Sequence, residues 1–140
     1  MSERKKIIVV EDDRDFAESI VMILESAGYD VRAAEDCDRC IALIELEKPD
    51  LIILDVMMRT LTEGFTVIYE LKSHPAHRTI PVLIVSAIDS HTGFELDKDF
   101  LQAEEYLKKP LLPHVLLESV GRLTAPRERP VPAGNDGGSP

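Results

Sequence analysis

The sequence predicts an α/β fold, a doubly wound five-stranded parallel sheet with helices on both faces. Short apolar runs, rich in Val and Ile, alternate with longer segments of helical period about five times along the chain. Continuous β-branched runs are typical of strands that are buried on both faces. Their alternation with helices is typical of right-handed βαβ units.

Five strands follow in order, and most of them are wholly apolar. The second strand alternates with charged residues, which favours a position nearer the edge of the sheet. The last strand is only a short candidate before Lys109 and Pro110. The predicted strands are Ile7–Val10, Tyr29–Ala34, Leu51–Leu54, Val82–Val85 and Tyr106–Leu107.

The helices are predicted from apolar residues at helical spacing and from their end signals. Gly28 can end the first helix and Asp36 can cap the second, which ends before Pro49. The segment from Ile88 to Gln102 is ambiguous, because it mixes helix formers with Gly93 and several acids. The clearer helices are Phe16–Ala27, a second from Asp36, and two spanning about Gly64–Ser73 and Leu112–Leu123.

Composition indicates one domain with an aliphatic core. The chain has 140 residues and a net charge of -10, which argues against direct nucleic-acid binding. Two cysteines imply no disulfide framework, and no apolar run is long enough for a signal peptide or membrane insertion, so we expect a cytoplasmic protein. Residues 1–124 form the predicted domain, and residues 125–140 a disordered tail rich in Pro and Gly.

Chemistry is expected beyond the carboxyl ends of the strands, where open parallel sheets bind ligands. Several acids, a hydroxyl and an amine fall there. Clustered carboxylates repel one another, and a hard cation such as Mg²⁺ removes that cost. A carboxylate beside such a cation can attack a phosphoryl donor. The residues at these strand ends are Glu11, Asp12, Asp13, Asp55, Ser86 and Lys109.

Four motifs resemble the receiver domains of two-component response regulators. The resemblance covers roughly residues 5–123, and the motifs occur in the family's order and near its spacing. Each motif alone is weak, and the four together are specific. They are Ile7–Asp13, Leu54–Met58, Val85–Ala87 and Tyr106–Pro110.

The resemblance implies a flavodoxin-like fold and a role for each matching residue. Asp55 is the phosphoacceptor. Mg²⁺, or Mn²⁺, is bound by Glu11, Asp12 (the likelier direct ligand of the pair), Asp55 and the backbone carbonyl of Met57. Ser86 and Tyr106 form the switch. Lys109 neutralises the phosphoryl group, and its bond to Pro110 is cis. Met57 and Ile88 tune dephosphorylation, and because both are apolar we expect a long-lived phosphoryl group.

Two segments depart from the family pattern. Arg59 and Glu63 stand where the family has Pro and Gly, and the glycine comes one residue later at Gly64, so we expect one inserted loop residue. Between Ser86 and Tyr106 the family has a further helix. Here the sequence predicts a late, short or missing one.

The expected function is a stand-alone phosphorylation switch without an output domain and not an enzyme acting on other substrates. Its partners would be a histidine kinase or phosphotransfer protein and an unknown downstream protein. A phosphorelay intermediate or phosphate sink is the main alternative. The hypothesis of an aspartyl-nucleophile phosphohydrolase is weak, because Met57 stands where such enzymes have a second acid. A degenerate receiver that switches without phosphate is disfavoured, because all the expected side chains are present. The Cys37–Cys40 CxxC motif is read as structural, since Cys40 falls on an apolar face.

Overall fold

The computed structural model describes residues 4–55, 61–86 and 103–125. These residues form one five-stranded parallel sheet with the strand order β2-β1-β3-β4-β5. The second strand lies at an edge, as its charge alternation predicts. The strands are β1 (Lys6–Val10), β2 (Asp30–Ala34), β3 (Leu51–Asp55), β4 (Val82–Ser86) and β5 (Glu105–Lys108).

Four helices lie within the described residues. They are α1 (Arg14–Ser26), α2 (Cys37–Glu47), α3 (Leu61–Ser73) and α4 (Pro113–Thr124). Asp36 caps α2 as predicted, its side chain accepting from the backbone N–H of Arg39 at 2.9 Å. Gly28 follows α1 with a positive φ of 98°, a backbone conformation that glycine adopts without the steric cost of a Cβ atom.

The core has two halves, one on each face of the sheet. Alternate strand residues point to opposite faces, so Ile8 and Ile52 contact one half while Ile7 and Ile53 contact the other. On the first face α2 and α3 supply Cys40, Ile44, Val67 and Leu71. On the second face α1 and α4 supply Ile20, Leu24, Leu116 and Val120. The doubly wound architecture is therefore confirmed.

One helix boundary was predicted wrongly. We expected α3 to start near Gly64, but it starts at Leu61 and includes this glycine. Glycine lowers helix stability by about 1 kcal/mol relative to alanine, which the rest of a three-turn helix can offset. The predicted loop insertion is therefore partly helical, since Leu61 to Glu63 belong to α3. An irregular helix was expected between Ser86 and Tyr106, but residues 87–102 lie outside the described residues. The predicted tail, residues 125–140, also lies outside them except for its first residue.

Candidate phosphoacceptor site

Asp55 and Lys109 meet at the carboxyl edge of the sheet. Asp55 ends β3, a central strand that is buried along its whole length, and its own residue is 4% exposed. Lys109 follows β5 directly and reaches across β4 to place Nζ 2.8 Å from Asp55 Oδ2. A buried carboxylate thus has a charged hydrogen-bond donor, which compensates for its removal from water.

Glu11 lies beside this pair and is equally buried. It follows β1, the neighbour of β3, and is 3% exposed. Its Oε1 is 3.7 Å from Lys109 Nζ, and its Oε2 accepts a hydrogen bond from the backbone N–H of Asp13 at 3.1 Å. Burial, helped by a hydrogen bond and the negative charge from Asp55, raises the pKa of Glu11 from 4.5 to about 8.

The charge on Lys109 is maintained by the same neighbours. Burial, the largest single influence, lowers the pKa of Lys109, but the hydrogen bond with Asp55 and the negative charges of Asp55 and Glu11 together outweigh it. The pKa therefore lies above its ordinary value, and the lysine stays a cation. Its ammonium also lies over the ring of Phe16, 4.1 Å from the ring centroid.

The side chain of Asp13 caps the N-terminus of α1. It is the N-cap of α1, and its Oδ1 accepts hydrogen bonds from the backbone N–H groups of Asp15 and Phe16 at 3.1 and 3.2 Å. The remaining acid, Asp12, is half-buried. Within the described ranges, no three Asp, Glu, His or Cys side chains are grouped closely enough to hold a metal ion together.

Comparison with known proteins identifies the family. The sequence model of the response regulator receiver domain matches residues 7–121. The chain belongs to this family. It is a receiver domain over most of its described length.

Named relatives agree with this assignment. The transcriptional regulatory protein PhoP of alkaline phosphatase synthesis in Bacillus subtilis (strain 168) is 37% identical over 109 residues, which cover 78% of this chain and 44% of PhoP. The response regulator MprA of Mycolicibacterium vanbaalenii is 35% identical over 127 residues, 91% of this chain and 52% of MprA. The chain spans about half the length of the curated relatives it matches.

Solved structures show the same fold. The chemotaxis protein CheY4 of Vibrio cholerae has a TM-score of 0.76 and 25% identity, covering 86% of this chain and 99% of CheY4. The BeF3-activated N-terminal receiver domain of Klebsiella pneumoniae RstA has a TM-score of 0.75 and 29% identity, covering 87% of this chain and all of that domain.

The donor set of this receiver fits a hard divalent cation. The groups at the strand ends are carboxylate oxygens. Glu11 Oε1 is buried without a hydrogen-bond partner among the residues that the structure describes, since the ammonium of Lys109, at 3.7 Å, is beyond hydrogen-bond distance. A buried acceptor of this kind is costly unless a proton or a cation satisfies it. Mg²⁺ needs only one or two carboxylates from the protein, so the absence of a three-carboxylate group in the described residues does not count against it.

The residues assigned to switching are described only in part. The backbone of Ser86 ends β4, where it pairs with Lys108 of β5. Tyr106 lies in β5, half-buried against the core half that α2 and α3 cover. The bond between Lys109 and Pro110 is cis, the isomer that the resemblance implied. Met57 and Ile88, expected to tune dephosphorylation, lie outside the described residues.

The sequence did not single out Phe16 as part of this site. Its apolar spacing predicted a core position, and the ring does pack against the core half under α1 and α4. Its place in the first turn of α1, three residues after the N-cap, was the available signal.

None of the described helices is long and apolar enough to span a membrane.

Proposed function

We propose that this receiver is a phosphorylation-gated signalling switch. Asp55 accepts a phosphoryl group from a histidine kinase or phosphotransfer protein in a reaction that depends on Mg²⁺ or Mn²⁺. The observation that carries the proposal is the buried contact between Asp55 and Lys109, with the carboxyl group of Glu11 beside it. A lysine aimed at a buried carboxylate at the carboxyl edge of a parallel sheet provides a cation where phosphate charge would develop.

Asp55 and Lys109 would act directly on the phosphoryl group. An oxygen of Asp55 attacks phosphorus, an O–P bond forms, and the P–N bond to the donor histidine breaks with its electron pair returning to the imidazole. The ammonium of Lys109 is close enough to pair with the transferred oxygens. Asp55 and Glu11 are 4% and 3% exposed, which limits the access of water to the nucleophile.

A divalent cation would be held by Glu11, Asp12, Asp55 and the backbone carbonyl of Met57. When bound it supplies positive charge that neutralises the carboxylates and the phosphoryl oxygens. Asp13 is the N-cap of α1, so we do not include it among the acids that would bind the cation.

The switch would use Ser86 and Tyr106. Phosphorylation adds charge and acceptor oxygens at the end of β3, and the hydroxyl of Ser86, at the end of the adjacent strand, would donate to them. Tyr106, on the next strand, would then change position. The apolar Met57 and Ile88 would restrict access of the attacking water and slow dephosphorylation.

The downstream partner is proposed to be a protein. The net charge of -10 disfavours direct contact between this receiver and nucleic acid. Relatives such as PhoP are transcriptional regulators about twice as long as the matched segment.

Intact-mass spectrometry tests the proposal. The wild type, Asp55→Asn and the control Asp50→Asn are incubated with acetyl phosphate in Mg²⁺ or in EDTA. Asp50 is an exposed acid just before β3, and its Oδ2 accepts from the backbone N–H of Lys6 at 2.9 Å. We expect Mg²⁺-dependent gain of one phosphoryl group in the wild type and in Asp50→Asn only. Equal gain in Asp55→Asn, or none in the wild type with either this donor or a phosphorylated kinase, would overturn it.

A further inference from the structure

The ammonium of Lys109 is surrounded on three sides within the described part of the chain. Asp55 Oδ2 is 2.8 Å away, Glu11 Oε1 is 3.7 Å away, and the centroid of the Phe16 ring is 4.1 Å away. The lysine side chain is 23% exposed. Asp55 is the acid whose charge changes when it accepts a phosphoryl group, whereas the ring of Phe16 is neutral throughout.

The position of Phe16 is set by the start of α1. Its backbone N–H donates to the N-cap side chain of Asp13 at 3.2 Å, which fixes the first turn. The ring is half-buried against the core half under α1 and α4. It is therefore held by the helix and the core and does not depend on the charges at the site.

The ammonium group of a lysine has no fixed position unless neighbouring groups restrain its side chain. Its ammonium sits on a flexible four-carbon stem, and fixing that stem costs side-chain entropy. When Asp55 becomes an acyl phosphate, the attacking oxygen loses its negative charge and the transferred oxygens carry it. The ammonium of Lys109 must then leave the carboxylate oxygen of Asp55 and pair with the phosphoryl oxygens. The face of an aromatic ring attracts the ammonium equally before and after the transfer.

We propose that Phe16 is a positioning residue for Lys109, holding the ammonium at the phosphoryl site through the face of its ring. This inference rests on the proposed function, because the positioning matters only if Asp55 is phosphorylated. A ring that merely fills space would support the lysine no better than a branched aliphatic side chain of similar size.

Fluorinated phenylalanines separate these two roles. Successive fluorines withdraw electron density from the ring face and weaken its attraction for a cation, with little change in shape. We would place mono-, di- and trifluorophenylalanine at position 16 and measure the rate of phosphorylation by acetyl phosphate in Mg²⁺. Phe16→Leu removes the ring, and Phe16→Tyr restores a ring of similar strength. Midpoints of thermal unfolding check that every variant is folded.

We expect the logarithm of the rate to fall steadily with each fluorine. Phe16→Leu should be roughly two- to thirtyfold slower, the range that follows from removing one cation–π contact, and Phe16→Tyr should be near the wild type. A flat rate across the fluorinated series overturns the proposal, even if Phe16→Leu is slow, because packing alone would then be responsible.

The contact itself has a readout that does not need phosphorylation. Lys109 Hε protons above a ring face should show an upfield ring-current shift by NMR, and Phe16→Leu should abolish it. If the wild type takes no phosphoryl group from any donor, the proposed function fails, and the shift alone decides whether Phe16 holds Lys109. Absence of the shift in the wild type would overturn the positioning role.

Discussion

Replacing Glu11 by Gln removes a buried titrating carboxyl group from the carboxyl edge of the sheet. Glu11 is 3% exposed, and the pKa of its carboxyl group is raised from 4.5 to about 8, first by burial and then by Asp55. Because the folded state holds this proton more tightly than the unfolded state, the metal-free protein should lose stability as pH rises through this window. Gln has nearly the same shape but does not titrate.

The magnitude follows from the two pKa values. Below pH 4.5 the proton is bound in both states, so the group costs nothing. At about pH 5 the cost is under about 1 kcal/mol, and at about pH 7 it is about 3 kcal/mol, at 1.36 kcal/mol for each unit between the unfolded pKa and the pH. The free energy of unfolding of the wild type, relative to Glu11→Gln, should therefore fall by about 2–3 kcal/mol between these pH values.

Urea unfolding in EDTA at several pH values measures this difference. Glu18→Gln is the matched control, since Glu18 is an exposed acid on α1. It removes a carboxyl group from the solvated surface of this helix, so any effect of deleting a carboxyl group in general is measured beside that of Glu11→Gln. Added Mg²⁺ should stabilise the wild type more than Glu11→Gln, because metal binding favours the ionised carboxyl group. A difference between wild type and Glu11→Gln that does not change with pH in EDTA would refute the argument from burial.

Two further predictions concern α1 and α2. Asp13→Ala should lower the free energy of unfolding by about 1 kcal/mol in urea titrations, because the N-cap hydrogen bonds to Asp15 and Phe16 are lost; a change within error of zero would contradict the capping role. Cys40 is fully buried and its pKa is raised to about 12, so iodoacetamide should alkylate it only after unfolding, as followed by peptide mass spectrometry. Alkylation of Cys40 in the folded protein at the rate of a free thiol would contradict this prediction and would support a redox role for the CxxC motif.

The sheet could be predicted because its signals are local. Runs such as Ile7–Val10 and Leu51–Leu54 have no polar residue to expose, and they form strands that are buried on both faces. Their order along the chain and the rule of right-handed crossovers leave few topologies. The N-cap at Asp36 was predictable for the same reason, since a cap depends on neighbours within one turn.

Other features depend on contacts that no local pattern encodes. The third helix was predicted to start near Gly64, but α3 starts at Leu61 and includes this glycine, and its later residues Val67 and Leu71 pack on the sheet. The contact between Phe16 and Lys109 joins the first helix to the residue that follows the last strand, and apolar spacing alone could not separate it from ordinary core packing. The approach of Glu11 and Asp55 to the same lysine, Lys109, likewise depends on side-chain directions beyond the strand ends.

The central claim is that Asp55 carries the phosphoryl group. Borohydride reduces an aspartyl phosphate to homoserine, so the modified residue can be read directly by peptide mass spectrometry after phosphorylation in Mg²⁺. We predict homoserine at position 55 alone, and none in samples treated in EDTA. Homoserine at Asp12 or Asp13 with Asp55 intact, or a phosphoryl group on a residue that borohydride does not reduce, would contradict the account.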